Sequence, residues 1–184
     1  MGTGQTMLTM AAMVLLSFLI LRVNNLFLQT TTTLNTSKFD VLAFSLAQSM
    51  IQEIEANAFD QNTVSAVVTT TSGLSTVLGP ESGETYATYN DIDDYNNYTT
   101  IDTVPKNSGV IFNIKCKVDY VTSASPDVIT ATPTWNKRIT VYVTSPFMIQ
   151  NALTNQYYTK VKSTTPIIQD TVKISQVYSY WNFK

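Results

Sequence analysis

Histidine is absent from this chain, and cysteine occurs once, as Cys116. Without histidine the commonest neutral-pH base and metal ligand is missing. A Cys/His zinc site, a Ser-His-Asp triad and a Cys-His dyad are therefore excluded. A lone cysteine closes no internal disulfide, and Cys116 falls in an alternating apolar stretch that reads as the place of a buried thiol. Charge is scarce too: Asp, Glu, Lys and Arg make up 13% of the 184 residues, about half the usual share. The net charge is −2 and no basic patch is present, so neither nucleic acid nor an anionic membrane surface is indicated as a partner. No Lys or Arg precedes Arg22, and the next is Lys38. Thr, Ser, Asn and Tyr carry the polarity instead, which suits a surface facing the outside of a cell or another subunit. These absences argue against an enzyme and require no cofactor.

The longest apolar run is Thr6–Leu21, rich in Leu, Met and Ala and free of Pro and Gly. These are strong helix formers. Its 16 residues span about 24 Å as a helix, and extension to Leu28 reaches the thickness of a bilayer. Arg22, Asn24 and Asn25 then lie near one end, where a long cationic side chain can snorkel. A cleaved signal wants a positive n-region and a small-residue cleavage site; the run has neither. Such a rod must be buried in lipid or among copies of itself.

Gln29–Asn35 contains four consecutive threonines, which lose rotamer freedom in a helix. It reads as a local break or a stretched section within 29–37, with Thr36 or Ser37 offering a fresh N-cap and Asp40 a partial capping box. Over 38–60, Phe39, Leu42, Leu46, Met50, Ile54 and Ala58 recur at helical spacing, the pattern of an amphipathic helix. From residue 61 to 184 short alternating runs and turn residues take over. In Val110–Tyr120, Phe112, Ile114, Cys116, Val118 and Tyr120 share one face; in Arg138–Val143, Ile139, Val141 and Val143 do. Breaks are expected at 105–109, 123–127 and 144–146. The connection between the two strands is too short and Pro-rich for a crossover helix, so they should pair antiparallel. Val64–Thr70, Tyr157–Lys162 and Val172–Tyr180 are further strand candidates. The fold class is α+β, with helix 38–60 covering the apolar face of an antiparallel sheet.

An apolar helix that continues as an amphipathic one and leads into an antiparallel sheet resembles the type IV pilins and pseudopilins. These begin after a Gly with an aromatic or apolar residue, a Thr, two apolar residues and a Glu. Here Gly4-Gln5-Thr6-Met7-Leu8-Thr9 aligns the Gly, the Thr and the apolar pair. Thr9 stands where the family carries Glu, and no basic leader precedes Gly4. Tyr89-Asn-Asp-Ile-Asp-Asp-Tyr-Asn96 is similar to the aspartate-rich stretch of minor pilins of the mannose-sensitive haemagglutinin type, and Lys137–Val143 resembles the strand that follows there. The resemblance implies the structural subunit of an extracellular helical filament. Its partners would be copies of itself, the membrane before assembly, and a pilus-type assembly machinery. Met7, Leu8, Met10, Met13, Leu15, Leu16, Phe18, Leu19, Leu21 and Arg22 would form the filament core or membrane helix. The alternatives are a minor pseudopilin of a secretion system or a single-pass membrane-anchored binding domain.

Asp91, Asp93 and Asp94, with Asn90 and Asn96 beside them, have the residue types of a Ca²⁺ site. No EF-hand glycine or distal Glu follows at the required spacing. The preferred reading is an Asx-rich turn whose side chains bond the local backbone, so no metal is assigned. Asn35-Thr-Ser37 and Asn97-Tyr-Thr99 match the glycosylation triplet, a match that a Thr- and Asn-rich chain produces by chance; Asn97 lies in a polar loop. Arg22 in a filament core would need a carboxylate or several carbonyls around it. At a membrane boundary it would need nothing further. Tyr86, Tyr89, Tyr95 and Tyr98, and Tyr178, Tyr180 and Trp181, read as sheet packing or, where exposed, as subunit contacts.

Overall fold

One helix, α1 (Thr3–Glu55), runs without interruption through the apolar run, the threonines and the amphipathic segment. The computed structural model describes residues 2–104, 109–149 and 169–181. The break expected within 29–37 does not occur. The hydroxyls of Thr30, Thr31 and Thr33 donate to the carbonyl oxygens of Leu26, Phe27 and Gln29 at 2.9–3.0 Å. Each hydroxyl is thereby satisfied within the helix, and the residual propensity penalty of about 0.7 kcal/mol or less per Thr falls on a helix already nucleated on both sides. Ser37 consequently lies inside α1 rather than capping a second helix.

At its C-terminus α1 stops at Glu55, short of the expected residue 60. Ala56 and Asn57 N–H donate to Glu53 and Ile54 carbonyls, and the Asn57 side chain donates to the Glu53 carbonyl at 3.0 Å. These bonds satisfy orphan carbonyls of the last turn. Ala58, expected on the helix, instead forms a parallel bridge with Asp91. Asp60 then caps a one-turn helix, α2 (Gln61–Val64), through a reciprocal bond with Thr63. That turn displaces the strand expected over Val64–Thr70.

The sheet contains β1 (Thr99–Thr103), β2 (Ile111–Thr122), β3 (Ser125–Ile129), β4 (Asn136–Ile149) and β5 (Gln169–Ser179). The order is β1-β2-β4-β5, all antiparallel, with β3 folded back onto the end of β2. The two strands read most clearly from alternation, β2 and β4, form the centre and pair from Asn113↔Thr144 to Tyr120↔Lys137. The expected inward set, Phe112, Ile114, Cys116, Val118 and Tyr120 with Ile139, Val141 and Val143, is buried throughout. β5 realises the candidate at Val172–Tyr180. The break expected at 144–146 is an irregularity inside β4, where the Ser145 hydroxyl donates to the Ile111 carbonyl at 2.7 Å and accepts from Phe147 N–H. The break at 123–127 is a tight turn whose far side is β3. The candidate Tyr157–Lys162 lies outside the described residues, as does most of the break at 105–109.

The second half of α1 lies across β4 and β5 and supplies the other side of the core. The helix line in closest contact is Ala43, Ala47, Met50, Ile51 and Ile54, all buried, with Phe39, Leu42 and Leu46 half-buried at its flank. The expected stripe thus sits slightly off centre. Two alanines, too small to stand out by hydropathy, mark the line of closest approach to the sheet. Ile51→Ala should destabilise the protein by about 2–5 kcal/mol in urea unfolding of the detergent-solubilised full chain. Val41→Ala, on the exposed side of the same helix, should change it by about 0.5 kcal/mol or less.

Candidate functional sites: an unburied apolar rod and a buried ion cluster

The first half of α1 touches none of the fold. Thr3–Thr31 is long and apolar enough to cross a membrane; its apolar 18-residue stretch has a mean hydropathy of 2.1, and no part of it is buried. At 1.5 Å per residue its 29 residues extend about 44 Å, beyond the ~30 Å of a bilayer's hydrocarbon core. Met7, Leu8, Met10, Met13, Leu15, Leu16, Phe18, Leu19 and Leu21 are each between 56% and 75% exposed. They point in all directions around the axis, so the rod has no single buried stripe and no polar side. Arg22 is exposed and makes no ion pair among the described residues. The Thr9 hydroxyl donates to the Thr6 carbonyl within its own helix at 2.9 Å.

The aspartates that stand together in sequence are all buried but turn to different partners. Asp93 meets Lys137, a fully buried cation that also donates to Asp60 Oδ2 at 3.1 Å and to the Phe59 carbonyl at 2.6 Å. The three acceptors match the three ammonium hydrogens. The rings of Phe59 and Tyr120 lie 4.4 and 5.1 Å from the same nitrogen. Asp60 is gripped further by Ser75 N–H, the Ser75 hydroxyl, Asn62 N–H and the Tyr120 hydroxyl. Burial opposes its charge, but Lys137 and the amides of Ser75 and Asn62 outweigh that and hold its carboxyl below the usual range.

Asp91 and Asp94 brace the turn that carries Asp93. Asp94 Oδ2 accepts from the N–H groups of Asn90 and Asp91, and Asp94 N–H donates to Asp91 Oδ1. This is the Asx-rich turn expected from the sequence; Asp91 and Asp93 each keep one carboxylate oxygen, Oδ2, buried without a hydrogen-bond partner. Burial pushes Asp93 up to about 8 against the pull of Lys137, and burial with the neighbouring Asp94 pushes Asp91 up to about 7. Asp60 already balances Lys137, so a second carboxylate charge in the cluster would be uncompensated.

Above the turn, Tyr86, Tyr89, Tyr95 and Tyr98 pack on one another with ring centroids 5.0–6.3 Å apart. Tyr86 and Tyr95 both donate to Glu53 on α1. Tyr180 stacks on Trp135 and meets Phe59 at a tilt, while Trp181 is exposed. Asn97 is exposed and holds a φ of 63°, a left-handed position that Asn tolerates. Cys116 is fully buried, and burial together with nearby Glu53 raises its thiol to about 12.

Sequence reading missed Lys137 and Asp60, although a signal was present for the first. Lys137 is in phase with Ile139, Val141 and Val143, so the same alternation that sends those inward sends the lysine inward. Comparison with protein-family models, with curated proteins and with solved structures found no match to this chain.

Lys137→Met should cost about 3–5 kcal/mol in urea unfolding, because it leaves the Asp60 carboxylate buried without its cation. Asp91 and Asp93 have the opposite linkage to a salt-bridged carboxylate. Their raised values mean that the folded chain holds protons which the unfolded chain releases near pH 4. Their contribution is complete below that pH and is lost as pH rises through about 7 to 8. The urea midpoint should therefore fall between pH 5 and 8, and Asp91→Asn should flatten that slope.

Proposed function

We propose that this chain is a structural subunit of an extracellular helical filament, held in a membrane before assembly and assembled through the first half of α1. The observation that carries this reading is the continuity of α1. A helix apolar on every side, with none of that surface buried in its own fold, runs unbroken into a half clamped on the sheet. Exposed apolar surface on this scale has to be covered by lipid or by other apolar helices. A rigid connection gives each rod a defined direction from its domain, so many copies can bundle rods at the centre and carry sheets outside. Such a contact is heterologous and open, which is what produces a filament rather than a closed ring.

Arg22 is the one charge in the rod, and the first carboxylate in the chain is Asp40. In a bundle the guanidinium has to find carbonyl oxygens or the Asp40 of a neighbour displaced by about 27 Å, the axial distance between the two residues. Arg22→Ala is expected to lower the filament yield while leaving the unfolding midpoint of the globular part unchanged.

Negative-stain images of material sheared from the cell surface, with immunogold against this chain, test assembly directly. Labelled filaments are expected, and removal of residues 5–28 should give a soluble monomer by size-exclusion chromatography. Full-length protein that is soluble and monomeric without detergent would sink the proposal. Membrane-bound protein that never enters filaments would favour the anchored-domain alternative.

A further inference from the structure

Asp94 has a second side. Its Oδ2 is taken by the two backbone amides of the turn, whereas Oδ1 is buried and has no hydrogen-bond partner. The residue is completely buried, so the bare oxygen has no water to turn to, a costly state for a carboxylate. Oxygens of Glu81, Glu84 and Asp94 lie within 4.8 Å of one another. Glu84 lies within hydrogen-bonding reach of Asp94, and burial together with that contact raises the Asp94 carboxyl above its usual value.

The loop is shaped to bring these groups together. Glu84 N–H donates to the Glu81 carbonyl at 3.1 Å, and Gly83 holds φ +94° at the third position of that turn. This is a conformation that glycine takes without steric cost. The turn places two glutamates side by side over Asp94, with Glu84 Oε2 accepting from Glu81 N–H at 2.9 Å. Asn90 joins the group: its Nδ2 donates to Glu84 Oε1 at 3.2 Å while its Oδ1 is buried and unpartnered. Rotating that amide by half a turn exchanges the two atoms and directs a carbonyl oxygen toward Glu84 and the carboxylate cluster.

We propose that Glu81, Glu84, Asp94 and the Asn90 amide oxygen bind a Ca²⁺ ion that ties the 81–84 turn to the aspartate turn. All the donors are hard oxygens, with no nitrogen or sulfur ligand among them, which selects a hard cation. Two oxygens on one Ca²⁺ at 2.3–2.6 Å are separated by up to about 5 Å, which accommodates the spacing of the three carboxylates. Mg²⁺, at 2.0–2.1 Å, would draw them to about 4 Å or less and impose an octahedron. Glu81 is exposed and Glu84 partly so, which leaves the outer side of the ion to water. The site lies wholly on the globular part, so its failure and a failure of filament assembly are separate results.

The test uses the detergent-solubilised full chain, stripped with EGTA and titrated with CaCl₂ while the thermal midpoint is followed. Half the shift is expected at about 10⁻⁴ to 10⁻³ M, the range of extracellular calcium modules. A rise of about 3 °C or more is expected once Ca²⁺ reaches tenfold the half-point. The response should be larger at pH 8 than at pH 5, because carboxylates ligate Ca²⁺ in their deprotonated form. Glu81→Gln touches no bond that shapes the turn and should weaken binding about tenfold or more without altering the calcium-free midpoint. No shift with wild-type protein, an equal shift with MgCl₂ or with NaCl at matched ionic strength, or an unchanged response in Glu81→Gln each overturns the proposal.

Discussion

The buried ammonium of Lys137 draws three separate parts of the chain to one point on the sheet. It stands on β4 and reaches the carbonyl just past the end of α1, the aspartate that caps α2, and the aspartate turn that follows. Through Asp60 it reaches Ser75 and, through Tyr120, β2. The long irregular stretch between α1 and β1 buries Phe59, Leu74, Ile92 and Tyr95 in the core. Its position is set further where the Phe59 carbonyl, Asp60 and Asp93 close around one cation. Removing a buried charge from water is expensive unless every hydrogen is satisfied, so an arrangement that satisfies all three is strongly selected over near alternatives.

The rest of the molecule divides between what is packed and what is left open. The second half of α1 and the inner face of β2 and β4 form an ordinary apolar core, with two alanines letting the helix approach the sheet. The first half of the same helix offers apolar side chains in every direction and receives no contact from the fold. One helix therefore serves two environments. Its packed end fixes its direction, and its open end presents the surface that assembly or a membrane would cover.

Much of this was legible in the sequence because it was written in periodicity. Alternation in 110–120 and 138–143 located the central strands, and their inward residues came out as expected. Apolar spacing located the packed half of the helix. Propensity misled at the threonines, where side-chain bonds to the preceding turn are invisible to a scale that scores residues singly. The aspartates were readable as a turn, but their division among Lys137, the backbone and the two glutamates was not. Glu81 and Glu84 are ten or more residues from Asp94 in the chain, and only the fold of the loop brings them over it. Asp60, a single polar residue after a helix, carried no pattern at all, since its role depends on a lysine 77 positions later.

Because α1 is unbroken, the threonine run does more than join two halves: it sets their angular phase. Each helical residue turns the axis by about 100° and advances it by 1.5 Å. Adding or removing one threonine between Thr30 and Thr33 would leave both halves chemically intact. Yet it would swing Arg22 and every apolar side chain below it about a quarter turn relative to the sheet. A flexible joint would absorb such a change; a continuous helix transmits it whole. The number of threonines, more than their identity, is thus a coordinate of the molecule, fixing which flank of the sheet lies above which side of the rod.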